Sequence, residues 1–358
     1  MSKTISIWAP LRYANYGDDM QAIAFAILIK EMGYGVKVFQ LEKDLAEEYG
    51  LDIAPNVNAL CENVNLVIIA GGALLTPFSW IKSVFNKPSR EYENDFKELY
   101  KATKKYPEVK FCAISFGGEG RIVNERRFGK GRRKFFRTDN FLNGTVRLAG
   151  DVEMMKVFGK KMLYYADMLF QTPTYFPPKK LEPSHKYRVG FNFKRGKHLD
   201  NTLLKDIFKY ANNHNDMEFH FITTHMEKVG LHYQYVPDHE SSNIIIDHYE
   251  NPCQLLGVIA SMDCFMTSML HVGLTGLTTG TPFISYRGPE KTKSFLRSIG
   301  GEWAILPEEI SFSQLKEKYW SMSKEQLYKK FDTTLIDDMI KDSIHQYEFC
   351  RDIVRKYA

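Results

Sequence analysis

A single histidine at a predicted strand-to-helix junction is the residue of this sequence best suited to chemistry. Residues 263–268 (DCFMTS) have the apolar run of a buried strand, and His271 follows in the first turn of a small-residue helix predicted over 270–280. The free N–H groups and the dipole at a helix N-terminus favour anions. Histidine binds a phosphate when protonated and accepts a proton when neutral. We therefore predict an anion site here, with His271 as acid, base or anion ligand.

Cations follow two further strands that are predicted in the same half of the chain. Arg287 and Lys291 come after the strand predicted over 281–286, and Arg195 lies in a basic loop after the strand predicted over 187–193. Ligands of doubly wound sheets bind outside the carboxyl ends of the strands. These side chains are therefore candidates to bind the anionic groups of a substrate, and a solvated charged loop is the alternative for Arg195. A similar loop at 222–228 carries His225.

Arg147 is the corresponding candidate in the first half of the chain. It ends a short strand predicted within the stretch NGTVRLAGD (143–151). A guanidinium in that position can bind a carboxylate or a phosphate with two hydrogen bonds. The alternative is a structural ion pair with a nearby acid such as Asp151.

Two loops of the first half are suited to a hydroxylated acceptor. The loop RYANYGDD (12–19) places Asn15 and Asp18 between a predicted strand and a predicted helix, and the glycine pair Gly71 and Gly72 ends the strand predicted over 64–72. Glycine lets a ligand approach the backbone closely. Neither loop has a dinucleotide or P-loop pattern. A helix cap by Asp18 and a plain tight turn at the glycines are the alternatives.

A basic segment follows these loops in the sequence. Residues 121–137 (RIVNERRFGKGRRKFFR) hold eight Lys or Arg in seventeen positions. We expect either a solvated basic surface or a surface that contacts an anionic acceptor or an anionic membrane. No RNA or DNA motif accompanies the segment, so nucleic acid is not expected as a partner.

The elements that position these residues alternate between strand and helix. Apolar strands and amphipathic helices follow one another through the first half, stop at the proline-rich stretch 171–187 and then start again. Such alternation indicates parallel sheets covered on both faces. We predict an α/β protein of two doubly wound Rossmann-like domains, residues 1–172 and 187–312, which face a central cleft, followed by a helical tail at 313–358.

Composition sets further limits on the class of protein. The chain of 358 residues carries a net charge of +5 and is 44% hydrophobic, which is typical of a globular protein. Its five cysteines lack CxxC spacing, so we expect neither a zinc site nor a disulfide framework. No apolar run approaches the length of a membrane-spanning helix. We expect a cytoplasmic protein, with a peripheral membrane contact as an option.

Together, these segments resemble the polysaccharide pyruvyl transferase family from residue 5 to about residue 300. The family opens with an Asn-x-Gly-Asp loop that enters a helix, which Asn15, Gly17 and Asp18 match. The match continues with a strand that ends in a glycine pair (VNLVIIAGG), a strand that ends in Arg147 and a strand end that carries Asp167. Leu270–His271 then opens a small-residue helix, and a Gly-x-Pro (GTP at 280–282) precedes the next strand.

The resemblance implies a GT-B-like fold and a defined reaction. Pyruvate would pass from phosphoenolpyruvate to a sugar, lipid-linked or nucleotide-linked, and form a cyclic ketal, with no cofactor or metal besides this co-substrate. It implies an anion-binding role for the cations above, an acceptor side in the first domain and a donor side in the second. One position departs from the family, because the Arg of its Arg-Leu-His is Met269 in this chain.

Two other functions stay open at this level. A GT-B glycosyltransferase with a nucleotide-sugar donor would use the same architecture, and Glu290 or Glu302 would then be candidates for ribose hydroxyls. A non-catalytic binding protein of glycan assembly is the second alternative, and the methionine at position 269 favours it slightly.

Overall fold

The computed structural model describes residues 3–77, 86–118, 120–194, 200–226, 234–238 and 240–358. The chain divides into two compact units. The first consists of Met1–Ala14, Asp18–Met168 and Asp342–Ala358, and the second consists of Asn15–Gly17 and Leu169–Lys341.

Short, apolar strands build both units. In chain order the strands of the described residues are β1 Thr4–Trp8, β2 Gly35–Phe39, β3 Asp52–Ala54, β4 Leu66–Ala70, β5 Lys110–Ile114, β6 Thr145–Val146, β7 Leu163–Tyr164, β8 Tyr187–Asn192, β9 Met217–Ile222, β10 Ile244–Asp247, β11 Cys264–Thr267 and β12 Phe283–Ser285.

Each unit holds one five-stranded parallel sheet with the same topology. The order is β3-β2-β1-β4-β5 in the first unit and β10-β9-β8-β11-β12 in the second. All neighbouring strands in both sheets run parallel. In each sheet the direction of winding reverses between the central strands, β1 and β4 or β8 and β11. This reversal is the position at which doubly wound sheets bind ligands.

Helices connect and cover the strands, as parallel sheets require. In chain order the α-helices of the described residues are α1 Tyr16–Glu31, α2 Lys43–Tyr49, α3 Val57–Cys61, α4 Lys87–Lys105, α5 Lys130–Phe136, α6 Ala149–Lys156, α7 Thr172–Tyr175, α8 Asn201–Asn213, α9 Pro252–Ala260, α10 Leu270–Thr278, α11 Glu290–Ser298, α12 Phe312–Leu315, α13 Lys324–Tyr328 and α14 Thr333–Tyr357. A π-helical turn, Lys316–Trp320, follows α12.

These elements confirm the predicted α/β class with parallel sheets and a helical tail. The long last helix, α14, contributes its second half to the core of the first unit. There the side chain of Gln346 accepts a hydrogen bond from the Ser115 N–H (3.2 Å) and donates to the Ala166 carbonyl (3.1 Å), while Asp342 accepts from the Ala166 N–H at 2.6 Å. The second half of α14 is therefore part of the first unit, while residues 313–341 of the predicted tail belong to the second.

Aromatic side chains fill the cores of both sheets. In the first unit Phe96, Phe111, Phe135, Phe136 and Phe141 are all fully buried and pack in tilted or edge-to-face pairs. This geometry is the preferred one for aromatic rings. The high aromatic content of the sequence thus forms much of the core.

The basic segment at 121–137 contributes one of its cations to that core. Arg132 is fully buried, donates hydrogen bonds to the carbonyls of Leu74 (2.9 Å) and Thr76 (3.0 Å) and pairs with Glu93. Its guanidinium lies 4.7 Å from the ring centre of Phe128. Arg132 therefore has a structural role and is not available for an external partner. Other cations of the segment, such as Arg126 and Arg127, are exposed.

In the part of the chain that the structure describes, no helix combines the length and apolarity that crossing a membrane demands.

Candidate functional site

The carboxyl ends of three neighbouring strands align at one edge of the second sheet. Thr267, the last residue of β11, pairs in register with Asn192 of β8 and with Ser285 of β12. The chain then leaves the sheet at all three positions. The loops after these strands consequently start from the same row, which includes the point where the winding of the sheet reverses.

Helix α10 starts directly above this row and carries His271 in its first turn. The strand β11 is fully buried, and the small residue Gly273 lets the helix lie close to β12, because a Cβ atom there would be 2.6 Å from the ring of Phe283. The predicted placement of His271 at a strand-to-helix junction is confirmed. The side chain is half-buried.

The N-terminus of α10 has no side-chain cap. Its N-cap residue is Met269, whose N–H donates to the hydroxyl of Thr267 (2.8 Å). The N–H groups of the first turn and the helix dipole give this end a partial positive charge. The start of α10 can therefore attract an anion while His271 supplies an imidazole beside it.

Met269 occupies a polar setting although its own side chain is apolar. The amide of Gln234 lies 3.6 Å from the Met269 sulfur, and the hydroxyl of Thr224 lies 3.9 Å from it. Gln234 in turn accepts from the Thr224 N–H at 2.5 Å. Two buried polar groups thus donate to a weak thioether acceptor, so the surroundings fit a neutral side chain at this position.

Two of the predicted cations follow β12 at the same edge of the sheet. Arg287 lies two residues beyond Ser285, in a left-handed conformation (φ 51°), and its guanidinium stands 5.0 Å from the ring centre of Tyr286. Lys291 lies in the first turn of α11 and is half-buried. Arg195, the third cation predicted for this site, lies outside the described residues.

The glycine of the loop at 12–19 contacts the imidazole. Residues 15–17 belong to the second unit. A Cβ atom on Gly17 would lie 2.3 Å from Nδ1 of His271, so only glycine leaves room for the ring in this position. The sequence singled out His271 as a candidate and Gly17 as a residue of the loop at 12–19, and the structure brings the two together.

The remaining acceptor candidates lie together in the first unit. The backbone of Gly71 and Gly72 is left-handed (φ 49° and 78°), and a Cβ atom on Gly72 would lie 3.5 Å from the carboxylate of Asp18. The fully buried Gln21, which the sequence did not single out, accepts a hydrogen bond from the Gly72 N–H at 2.7 Å. The glycine pair therefore meets the first turns of α1.

Arg147 forms a buried ion pair with Asp167 in the first unit. Its Nη1 lies 2.8 Å from Oδ2 of Asp167, and both side chains are less than a tenth exposed. The ion-pair interpretation is confirmed, but its partner is Asp167. Asp151 instead accepts hydrogen bonds from the N–H groups of Gly118 (2.7 Å) and Gly120 (3.1 Å).

The described residues contain no group of three or more His, Cys, Asp or Glu side chains that could hold a metal ion.

A model of the polysaccharide pyruvyl transferase family matches residues 15–287, which is most of the chain. A comparison with curated proteins gave no match at the sequence level.

Solved structures with the same fold have very different sequences. A UDP-N-acetylglucosamine 2-epimerase has a TM-score of 0.57 at 11% identity over 99% of this chain and 95% of its own. The corresponding enzyme from Neisseria meningitidis, bound to UDP-GlcNAc, has a TM-score of 0.56 at 8% identity over 96% and 98%. The spinosyn forosaminyltransferase SpnP has a TM-score of 0.51 at 12% identity over 99% and 98%. These likenesses establish the GT-B fold of two Rossmann-like units.

Proposed function

This chain belongs to the polysaccharide pyruvyl transferase family, and we propose that it transfers pyruvate from phosphoenolpyruvate to a sugar of a cell-surface glycan or its precursor. The observation that carries this proposal is the position of His271. It stands in the uncapped first turn of α10, at the reversal point of the second sheet, with Arg287 and Lys291 following the adjacent strand.

The chemistry requires a proton donor and an anion site. Protonation of the methylene carbon of the donor builds positive charge on the neighbouring carbon, and a sugar hydroxyl attacks that carbon and loses its proton. The bond to phosphate then breaks, and a second hydroxyl closes the ketal and loses its proton. One hydroxyl proton balances the proton gained by the methyl group, and the other leaves with phosphate or solvent. Positioned acid–base and electrostatic groups are the main requirements.

We assign the proton transfer to His271 and the binding of the two acidic groups of the donor to the N-terminus of α10, Arg287 and Lys291. Arg195 is proposed for the same task. The reaction needs no cofactor beyond the co-substrate and no metal. Since position 269 holds methionine, these groups must supply the positive charge that the family's arginine provides.

In the first unit, we propose that Asp18, Gly71 and Gly72 contact the acceptor sugar. A carboxylate accepts hydrogen bonds from sugar hydroxyls, and Gly72 has no Cβ atom that would hinder a ligand beside Asp18. The corresponding space at Gly71 is filled by the side chain of Gln21.

The exposed part of residues 121–137 would suit the binding of an acceptor that is associated with a membrane. Ile122 is 63% exposed and lies in sequence between Arg121 and the exposed Arg126 and Arg127. Each basic residue near an anionic bilayer contributes about 1 kcal/mol of attraction. We expect the protein to sediment with phosphatidylserine vesicles but not with phosphatidylcholine vesicles, and the R126E/R127E double variant to lose this binding. Equal sedimentation of the wild-type protein and the double variant with phosphatidylserine vesicles would show that this surface does not bind the membrane.

A glycosyltransferase with a nucleotide-sugar donor is the second candidate. It is supported by the fold, which the spinosyn forosaminyltransferase SpnP shares. The methionine at position 269 leaves the donor site without the family's guanidinium but does not itself select a nucleotide-sugar.

Ligand-dependent thermal unfolding separates the candidates. A ligand at one hundred times its dissociation constant stabilises the native state by about 2.7 kcal/mol, which corresponds to several degrees in the midpoint for a unit of this size. We expect phosphoenolpyruvate to give this shift and UDP-sugars to give none. A shift with UDP-sugars alone would support the glycosyltransferase, and no shift with either would support a non-catalytic protein.

A further inference from the structure

The tripeptide Asn15–Gly17 is fixed to the second unit by its backbone. Asn15 forms an antiparallel bridge with His225, and the Tyr16 N–H donates to the carbonyl of Thr224 at 2.8 Å. The Tyr16 hydroxyl donates to Thr275 Oγ1 (3.3 Å), one turn beyond His271 on α10. The segment thus contacts both the loop after β9 and the helix that carries the imidazole.

The side chains of Asn15 and His225 form a hydrogen bond whose direction follows from the geometry. The Oδ1 atom of Asn15 accepts from the Gly17 N–H (3.0 Å), which places the amide nitrogen Nδ2 toward Nε2 of His225 at 3.0 Å. An amide nitrogen only donates, so Nε2 must accept and the ring proton must reside on Nδ1. A neutral imidazole is therefore required.

The surroundings of His225 keep its imidazole neutral. Burial, with a smaller contribution from the charge of Lys194, lowers the pKa of His225 to about 4. The ring consequently stays an acceptor throughout the neutral pH range. The Asn15 amide is then held at both ends, by Gly17 on one side and by His225 on the other.

Gly17, which is held by Asn15, in turn restricts the orientation of the His271 imidazole. Its backbone lies so close to the imidazole that an added Cβ would be 2.3 Å from Nδ1. Any displacement of residues 15–17 would therefore change the space in which the ring of His271 can orient. A displacement of about 1 Å in a catalytic group can lower a rate a hundredfold.

We propose that Asn15 and His225 are positioning residues that hold Gly17 against the imidazole of His271 and so fix its orientation. This inference rests on the proposed catalytic role of His271. It assigns Asn15 to the support of the imidazole, whereas the sequence suggested that Asn15 binds the acceptor.

The test compares three variants by two independent measurements. Asn15→Ala and His225→Leu remove the hydrogen bond, and His225→Gln keeps an acceptor, because a glutamine carbonyl can replace Nε2. We expect the first two to shift the imidazole NMR signals of His271, assigned with His271→Gln, and to lower kcat about tenfold to a hundredfold with little change in KM for phosphoenolpyruvate. His225→Gln should keep both the His271 signals and kcat close to those of the wild-type protein.

A matched control is His214→Leu, which removes an exposed histidine of the same unit and should leave the His271 signals in place. Unchanged His271 signals in Asn15→Ala would overturn the proposal, as would a selective increase in the KM for the acceptor, which would make Asn15 an acceptor ligand. The NMR measurement does not depend on turnover. It therefore decides this proposal even if the protein proves not to transfer pyruvate.

Discussion

Replacement of His271 by glutamine is expected to lower kcat for pyruvyl transfer by about 10² to 10⁴, the usual contribution of a positioned acid or base. Glutamine retains a polar side chain of similar length but cannot donate and recover a proton at neutral pH. The N-terminus of α10, Arg287 and Lys291 would be unchanged. The thermal shift with phosphoenolpyruvate should consequently persist while turnover is lost.

The matched control for this prediction is His345→Gln. His345 is exposed on α14, where its Nδ1 lies 2.8 Å from Glu348, and its loss should not affect the rate. A His271→Gln variant that keeps more than a tenth of the wild-type kcat would remove His271 from the chemistry. Loss of the thermal shift together with the rate would instead make His271 chiefly an anion ligand.

Replacement of Asp167 by alanine is expected to destabilise the first unit by about 3–5 kcal/mol, the usual effect of removing one partner of a buried ion pair. The guanidinium of Arg147 would stay in a site where its side chain is 7% exposed, without the carboxylate 2.8 Å away. Urea denaturation followed by circular dichroism would show the loss as a lower midpoint for the transition of this unit.

Two controls separate the effect of an unpaired buried charge from the effect of losing an ion pair of any kind. Glu125→Ala removes the partner of Arg137, whose side chain is 44% exposed, and should cost no more than about 1 kcal/mol. The R147M/D167L double variant leaves no unpaired charge and should recover most of the stability lost in Asp167→Ala. A cost below about 1 kcal/mol for Asp167→Ala would show that Arg147 finds another partner or reaches solvent.

The architecture could be predicted from sequence because buried parallel strands have a distinct signature. The run LVIIA in β4 is apolar at every position and CFMT in β11 at all but its last, and both strands are buried throughout, which only a sheet covered on both faces requires. The three-residue β3, Asp52–Ala54, was not predicted. Two of its residues are exposed, and it lies at the sheet edge, so it lacks a continuous apolar run.

Contacts between side chains were harder to predict because they depend on pairing between distant strands. Asp151 is close to Arg147 in sequence, yet the true partner Asp167 lies beyond β7. Strand β7 runs parallel to β6, with Val146 paired to Tyr164, so both strands end at the same side. Sequence proximity indicated the wrong acid, while the shared strand direction would have indicated the right one.

The same limit applies to the residues around His271. The sequence named Gly17 and His225 as residues of two loops and His271 as a residue of a helix start, with no link between them. It could not show that Gly17 touches the imidazole or that Asn15 pairs with a histidine 210 positions away. Arg132 is a further case, because its burial among aromatic rings is hidden within a run of exposed cations.

The most direct test of pyruvyl transfer by this protein is a search for the product. The protein would be incubated with phosphoenolpyruvate and a panel of lipid-linked and nucleotide-linked sugars, and each acceptor would be weighed by mass spectrometry while phosphate release is followed. We predict an acceptor that gains one pyruvyl group as a ketal, with one phosphate released per product, and at least a roughly hundredfold slower release with His271→Gln. A product that gains a hexose from a UDP-sugar, with phosphoenolpyruvate untouched, would contradict it.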